Sequence, residues 1–418
     1  MANTYLTRTP SSAGNRKTMT FSFWIKRSQF ETTNAQRIFS TYYNGGANQL
    51  WIRWSDSSSG LDKIDIAGYT SSSFTTRLET NAVFRDASGW YHIVIAFDTT
   101  QATASNRVKI YVNGEQVTSL ATSTYPSQNT DMEWNVAQPN QIGGNGVTNS
   151  EYIGGSMSHI NFVDGTAYDA TAFGEYDANG VWKIKTSPSV TYGTNGFFIL
   201  KDGNSVTDQS GNSNNFTVGG GTLTNTEDNP SNVFATGNIL LKPHSNITFS
   251  NGNNTASEGG SDWGSLVSTL GASSGKYYFE VKLSSGSNCM IGITDENTIM
   301  STAGTAGIFG KFGYGISYRQ NGEKYQNNTG SSYGSSYSSG DIIGVAVDLD
   351  NSKLYFSKNG TWQNSGDPTS GATGTGAISI TSTSTAGNYM MGASPNTSTV
   401  QVNFGNGYFG TTAVSSAG

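Results

Sequence analysis

Along most of the chain apolar and polar residues alternate with a period of two, and no stretch sustains the 3.6-residue period of an amphipathic helix. Residues 20–26 read Thr-Phe-Ser-Phe-Trp-Ile-Lys, which puts Phe21, Phe23 and Ile25 on one face of a strand. In residues 91–97 every odd position is large and apolar, and His92 alternates with them as a strand histidine. Val108, Ile110 and Val112 alternate with Arg107, Lys109 and Tyr111 and run into Asn113-Gly114. That dipeptide tolerates the positive φ angles of a tight hairpin. Shorter strand-like runs follow at 140–142, 152–153 and 159–163, each bounded by Gly or Asn.

The strand signal thins after about residue 186. The stretch 187–243 reads as a packed linker with its own anchors, Phe197-Phe198-Ile199-Leu200 and Val233-Phe234. Alternation resumes at Lys276–Leu283, where Tyr277, Phe279, Val281 and Leu283 share a face, and continues through 290–293, 314–318, 342–347 and 353–358 into Asn359-Gly360. The halves rhyme: a strand ending in Asp98 or Asp348 leads through a loop into a second strand and an Asn-Gly turn. The pattern predicts an all-β chain of two tandem antiparallel β-sandwiches, residues 1–186 and 244–418, the second ending in a short tail.

Composition narrows the function. Only 12% of the 418 residues are charged, about half the usual share, so polarity comes from Ser, Thr and Asn. With 23 Lys and Arg against 29 Asp and Glu and no basic block, nucleic acid is not an expected partner. The lone Cys289 excludes an intrachain disulfide and a Cys-rich zinc site and reads as a small buried hydrophobe. Met1–Arg16 has no signal-peptide core and no apolar run is long enough to span a bilayer, so synthesis in a cytoplasm without membrane insertion is expected.

Few residues suggest chemistry. Asp56, Asp62 and Asp65 flank the strand 61–66 and read as a solvated edge, since the paired carboxylates of a strand-borne Glu-x-Asp-x-x-Glu string are missing. The three histidines, 92, 159 and 244, accompany no serine elbow. Gly271–Lys276 is one residue short of a phosphate loop and is followed by Tyr277 instead of Ser or Thr. No catalytic residue is assigned. Sugar binding fits better, because aromatic faces stack on pyranose C–H groups while amides bond hydroxyls. The candidates are Tyr42, Tyr43, Asn44, Trp51, Trp134 and Tyr152 in the first half, and Tyr333 and Tyr337 in the low-complexity loop 331–340 of the second.

The succession 21–25, Gly89-Trp90-Tyr-His-Ile-Val-Ile-Ala-Phe-Asp98 and Val108-Lys-Ile-Tyr-Val-Asn-Gly114 resembles the laminin-G-like, concanavalin A-like jelly rolls over residues 17–185. That resemblance implies calcium as the one conceivable cofactor, at a loop rim for which Asp56 and Asp62 are the weak candidates. The string Ser274-Gly-Lys-Tyr-Tyr-Phe-Glu280, Ile291-Gly-Ile293, Gly313-Tyr-Gly315, residues 341–348 and Leu354–Gly360 is similar to a SPRY domain over 244–405. With Asn3–Arg8 running straight into the first sandwich, and Asp208–Gly211 and Asp228-Asn-Pro230 between the two, the whole resembles virion proteins of tailed, notably marine, bacteriophages. The resemblance implies a non-catalytic structural or adhesive virion component. Leading is a tail fibre or tail-associated protein that contacts a host-surface glycan or protein alongside other virion proteins, with room for a homo-oligomer. A capsid decoration protein is the alternative and a polysaccharide-cleaving enzyme the third reading. Residues 405–418 look like a point where related chains continue.

Overall fold

The computed structural model describes residues 3–145, 148, 150–241, 246–260, 262–295, 308–312, 314–380 and 387–414. His244 and Gly313 lie outside the described residues. The chain divides into two compact units, residues 1–225 with 229–233, and residues 226–228 with 234–418. Antiparallel sheets build both, and the all-β expectation holds.

In the first unit, among the described residues, a six-stranded sheet runs Phe197–Ile199, Gly155–Asp164, Thr18–Arg27, Tyr91–Asp98, Val108–Val112, Glu115–Gln116. It faces an eight-stranded sheet in the order Leu120–Thr124, Ser73–Thr80, Ile64–Thr70, Asn48–Trp54, Gln36–Tyr43, Asn140–Ile142, Tyr5–Arg8, Thr217–Gly220. Phe21, Phe23, Ile93, Ile95 and Phe97 meet Phe39, Leu50, Ile52, Ile66 and Leu78 between the sheets, as period-two alternation requires. Trp134 is fully buried there, its ring 5.1 Å from Phe21 and 5.8 Å from Phe39. It is therefore a core residue, which corrects its place among the sugar contacts.

The strand Thr18–Arg27 is buried at both parities, because the back of its sheet is covered too. Val94, Val163, Ala170 and Phe173 form a second apolar cluster there, joined by Tyr111 and Trp182. The hairpin of Gly174–Tyr176 and Trp182–Ile184 sets Trp182 edge-on beside His92, whose ring stacks on Trp24 at 4.7 Å.

Most of the expected linker belongs to this unit. Phe197–Ile199 pairs with Gly155–Asp164, Thr217–Gly220 pairs with Tyr5–Arg8, and Leu200 and Phe216 enter the core. Asp208 organises the loop between them. Its carboxylate accepts from the backbone amides of Phe198, Ser210 and Asn214 at 2.8–2.9 Å, so Ser and Asn fold here by capping and not by apolar pattern.

In the second unit, among the described residues, one sheet holds Ile247–Ser250, Thr255–Glu258, Ser398–Asn403, Lys276–Ser285, Ile342–Asp348, Lys353–Lys358 and Thr361–Trp362 in spatial order, with Ile378–Ser379 also paired to Lys353–Lys358. The other runs Leu266–Ala272, Tyr389–Pro395, Cys289–Thr294, Ile316–Arg319, Glu323–Gln326, Thr329–Ser332. Phe279, Val281 and Leu283 are buried, while Tyr277 at the strand end is 44% exposed. Both Asn-Gly turns adopt the paired positive φ angles expected of them, 49° and 89° at Asn113-Gly114, 48° and 80° at Asn359-Gly360.

The loop 331–340 departs from expectation. Tyr333 and Tyr337 are buried, and their rings lie 5.6 and 5.4 Å from that of Tyr318. The Tyr337 hydroxyl lies 3.0 Å from both the Cys289 and Tyr318 carbonyl oxygens and shares its proton between them. Ser and Gly let the segment turn while its tyrosines plug the core, so neither is a surface contact. Among the described residues no helix is long and apolar enough to cross a membrane.

Removing this hydroxyl takes a donor from two buried carbonyls, of which that of Cys289 still accepts from the Gln320 amide at 3.0 Å. Tyr337→Phe is expected to lower the stability of the second unit by about 0.5–1.5 kcal/mol, and Tyr337→Ala by about 3–5 kcal/mol, read as denaturant midpoints. An unchanged midpoint for Tyr337→Phe would show that the hydroxyl does not hold the loop.

Candidate functional site

The outer face of the eight-stranded sheet of the first unit carries the densest functional chemistry. Strand register arranges it in three parallel rows. Tyr42, Gln49, Tyr69 and Phe74 stand side by side on four neighbouring strands. Ser40, Trp51, Ala67 and Arg77 form the next row, and Arg37, Arg53, Asp65 and Glu79 the third. A turn at Ser71-Ser72, both at positive φ, brings Phe74 beside Tyr69. Three rings cluster: Trp51 to Phe74 at 5.9 Å, Trp51 to Tyr69 at 6.4 Å, and Tyr69 to Phe74 at 5.0 Å. Phe74 is 47% exposed and Trp51 7%.

Trp51 lies recessed between two guanidiniums, those of Arg37 and Arg53, each 5.1 Å from its ring. Both are tied down by carboxylates. Arg37 pairs with Glu151 at 2.6 Å, and Arg53 with Asp65 at 2.7 Å, Asp56 at 3.2 Å and Glu151 at 3.6 Å. Arg77 reaches Asp65 at 3.4 Å and Glu79 at 3.7 Å, and Lys63 meets Glu79 at 2.9 Å. Burial pulls the Arg37 pKa down against the opposing pull of Glu151. The cluster is an ion-pair lattice, and the solvated-edge reading of Asp65 is corrected: its side chain is fully enclosed. Carboxylates tied to guanidiniums in this way are not free to flank a glycosidic bond as an acid and base pair.

Of the residues singled out in the sequence, Tyr42, Asn44 and Trp51 lie on or beside this face. Tyr43, on the opposite parity, donates its hydroxyl to buried Glu133, which also accepts from Thr70 Oγ1 at 2.7 Å. Tyr152 is buried against Tyr5, with ring centres 6.2 Å apart. The calcium candidates are engaged otherwise. Asp62 pairs with Arg27 at 2.8 Å and Arg85 at 2.6 Å, and Asp56 with Arg53 and the Ser58 amide at 3.0 Å. Among the described residues no three His, Cys, Asp or Glu side chains cluster as a metal site. Tyr69 and Phe74 escaped the sequence reading. Their signal was two aromatics flanking the polar tetrad Thr70–Ser73.

His92 is structural. The Trp182 indole donates to Nδ1 at 3.0 Å, which leaves the proton on Nε2, 2.9 Å from Ser22 Oγ. Burial drags its pKa to about 3, and that of His159, a bulge residue at φ 49° beside Ser158, to about 4. In the second unit, a shallow depression of about 220 Å³ lies over Tyr277, Tyr278, Tyr355 and Pro368, rimmed by the Lys276–Asp348 pair.

Comparison with known proteins agrees with the two-part architecture. Residues 2–171 match the concanavalin A-like lectin/glucanases superfamily and residues 276–390 match the SPRY domain. The chain carries a concanavalin A-like domain followed by a SPRY domain. A curated relative, the ATP-dependent RNA helicase DDX1 of Xenopus laevis, is 33% identical over 99 residues, 24% of this chain and 12% of the relative, so the chain spans about an eighth of that protein. Among solved structures, a human SPRY domain is 16% identical with a TM-score of 0.29, covering 38% of this chain and 96% of its own. The SPRY domain of human HERC1 is 15% identical with a TM-score of 0.30, covering 38% and 92%. A heptameric SAP-like pentraxin from Limulus polyphemus is 14% identical with a TM-score of 0.28, covering 40% and 71%.

Two outcomes are expected in the concanavalin A-like domain. Asp65→Asn leaves two guanidiniums without their shared carboxylate and costs about 3–5 kcal/mol, whereas Asp56→Asn at the partly exposed end costs under about 1 kcal/mol. Equal midpoints for the two variants in a denaturant titration would refute the lattice. For His92, the unfolded chain takes up a proton below about pH 6.5 while the folded chain refuses it until about pH 3. Stability is therefore complete above 6.5 and declines as pH falls between those values. His92→Gln should remove this share of the decline and leave the shares of His159 and of carboxylates such as Asp56 and Asp98 whose pKa the fold lowers, measured as unfolding free energy against pH.

Proposed function

We propose that this chain is a non-catalytic adhesion protein of a virion surface, a tail fibre or tail-associated component, that grips a host-surface glycan through the outer face of its concanavalin A-like domain. The observation that carries the binding part is the aromatic cluster Trp51, Tyr69 and Phe74, held on a rigid sheet with Phe74 open to solvent and flanked by Gln49 and Tyr42. Rings of this kind offer a face to pyranose C–H groups, and a rigid sheet spends little entropy on binding. The virion placement rests on the resemblance of the module order and of the Asn3–Arg8 opening to tailed-phage proteins, with other virion proteins as the remaining partners. The SPRY domain, a protein- or glycan-binding fold, supplies a second contact surface.

The isolated chain is expected to bind host cells saturably, with Phe74→Ala and Trp51→Ala each weakening binding at least about tenfold, roughly 1.4 kcal/mol. Wild-type affinity in both variants would remove this face as the contact. Absence of any saturable binding would overturn adhesion in favour of capsid decoration, and released reducing ends from host polysaccharide would overturn the non-catalytic reading.

A further inference from the structure

We infer that the glycan this face takes is uncharged, a chain of neutral pyranosides; the inference rests on the binding reading above and adds the ligand's charge. Four cations lie on or beside the face, Arg37, Arg53, Lys63 and Arg77, and four carboxylates, Asp56, Asp65, Glu79 and Glu151. Each cation lies within 3.4 Å of a carboxylate of this same chain. The face thus neutralises itself.

A sulfated or uronic-acid glycan would have to draw Arg37 or Arg53 away from its carboxylates. Those guanidiniums are only 9% and 10% exposed, while Glu151 and Asp56 beside them are 22% and 24% exposed. At Arg37 and Arg53 an approaching anion therefore meets carboxylate before it meets guanidinium, and loosening a buried pair strands a charge. The more open guanidinium, Arg77 at 25% exposed, is already held by Asp65 at 3.4 Å, Glu79 at 3.7 Å and Ser59 Oγ at 2.8 Å. A cationic ligand meets Glu151 and Asp56 first, but each is already paired with a guanidinium, at 2.6 and 3.2 Å, and Asp65 is sealed beneath Arg53 and Arg77.

The groups left to meet a ligand are neutral. Phe74 presents its ring. Gln49 is fixed by bonds from Nε2 to the Gly46 carbonyl at 2.8 Å and from Arg37 to Oε1 at 3.3 Å, which leaves one N–H and one lone pair to spare. The half-buried Tyr42 has no hydrogen-bond partner for its hydroxyl among the described residues. A ring face, an amide and a phenol in one row match the apolar face and hydroxyl rim of a neutral sugar. A protein partner would call for a broader apolar centre than one half-exposed phenylalanine.

The test is an array of neutral, uronic-acid and sulfated oligosaccharides probed with the full chain, followed by titration of the best binder from low salt to about half-molar salt. Binding is expected to neutral glycans only, with affinity changing less than about twofold across that range, and to fall at least about tenfold in Phe74→Ala, whose exposed side chain leaves the fold intact by circular dichroism. Binding confined to charged glycans, with affinity collapsing in salt, overturns the inference and leaves the adhesion reading standing. Binding to a host protein and to no glycan overturns the inference as well. Binding to neither takes down both.

Discussion

Everything in this chain hangs on the contact between inner sheet faces. With a single cysteine, few charges and no helix longer than three residues among the described residues, no disulfide, coiled seam or broad ionic shell shares the work. Phe21 makes the point: its ring lies 5.1 Å from each of Phe39, Trp134 and Phe162 and 6.0 Å from Phe97, so four other segments close on one side chain. Aromatic residues concentrate much apolar area into few positions. A chain built mainly from Gly, Ser, Thr and Asn needs that concentration, because its short polar residues contribute little burial of their own.

A sheet has two faces, and the outer ones are solved differently. The six-stranded sheet of the first unit covers its back with the 165–192 segment, Trp182 bonding to His92 from beside it. The eight-stranded sheet leaves its back uncovered by such a segment and carries ion pairs there instead. Buried ion pairs are poor sources of net stability but strong specifiers of arrangement. Arg53 directly opposes Asp65, and a one-residue slip would push Arg53 into the core and Ile52 to the surface. Register is thereby fixed on a face that has no apolar pattern to fix it.

What could be read from the chain follows the same division. Alternation marked strands wherever one face was apolar, and Asn113-Gly114 and Asn359-Gly360 marked hairpins through the backbone chemistry of those residues alone. Local pattern failed where burial depends on distant partners. Tyr337 sits in a serine-glycine loop that reads as surface, yet its hydroxyl reaches the Cys289 carbonyl across 48 positions. Arg37 looks like an exposed strand residue until Glu151 arrives to pair with it. Phe197–Ile199 was recognised as an anchor and not as a strand, since three residues are too few to show a period. Trp51 was found as a candidate, but Tyr69 and Phe74 gain meaning only once register sets them beside it.

The lattice and the aromatic cluster are one device seen from two sides. Guanidiniums stacked on Trp51 restrict its ring, and the carboxylates that hold those guanidiniums keep them from swinging toward solvent. A ring locked in this way loses little freedom on binding, which favours weak, directional contacts of the kind a sugar face offers. The same pairing consumes the carboxylates that hydrolysis of a glycosidic bond would require. On this face the positive charges sit where they occupy the carboxylates and hold the Trp51 ring, the arrangement on which the proposed binding role rests.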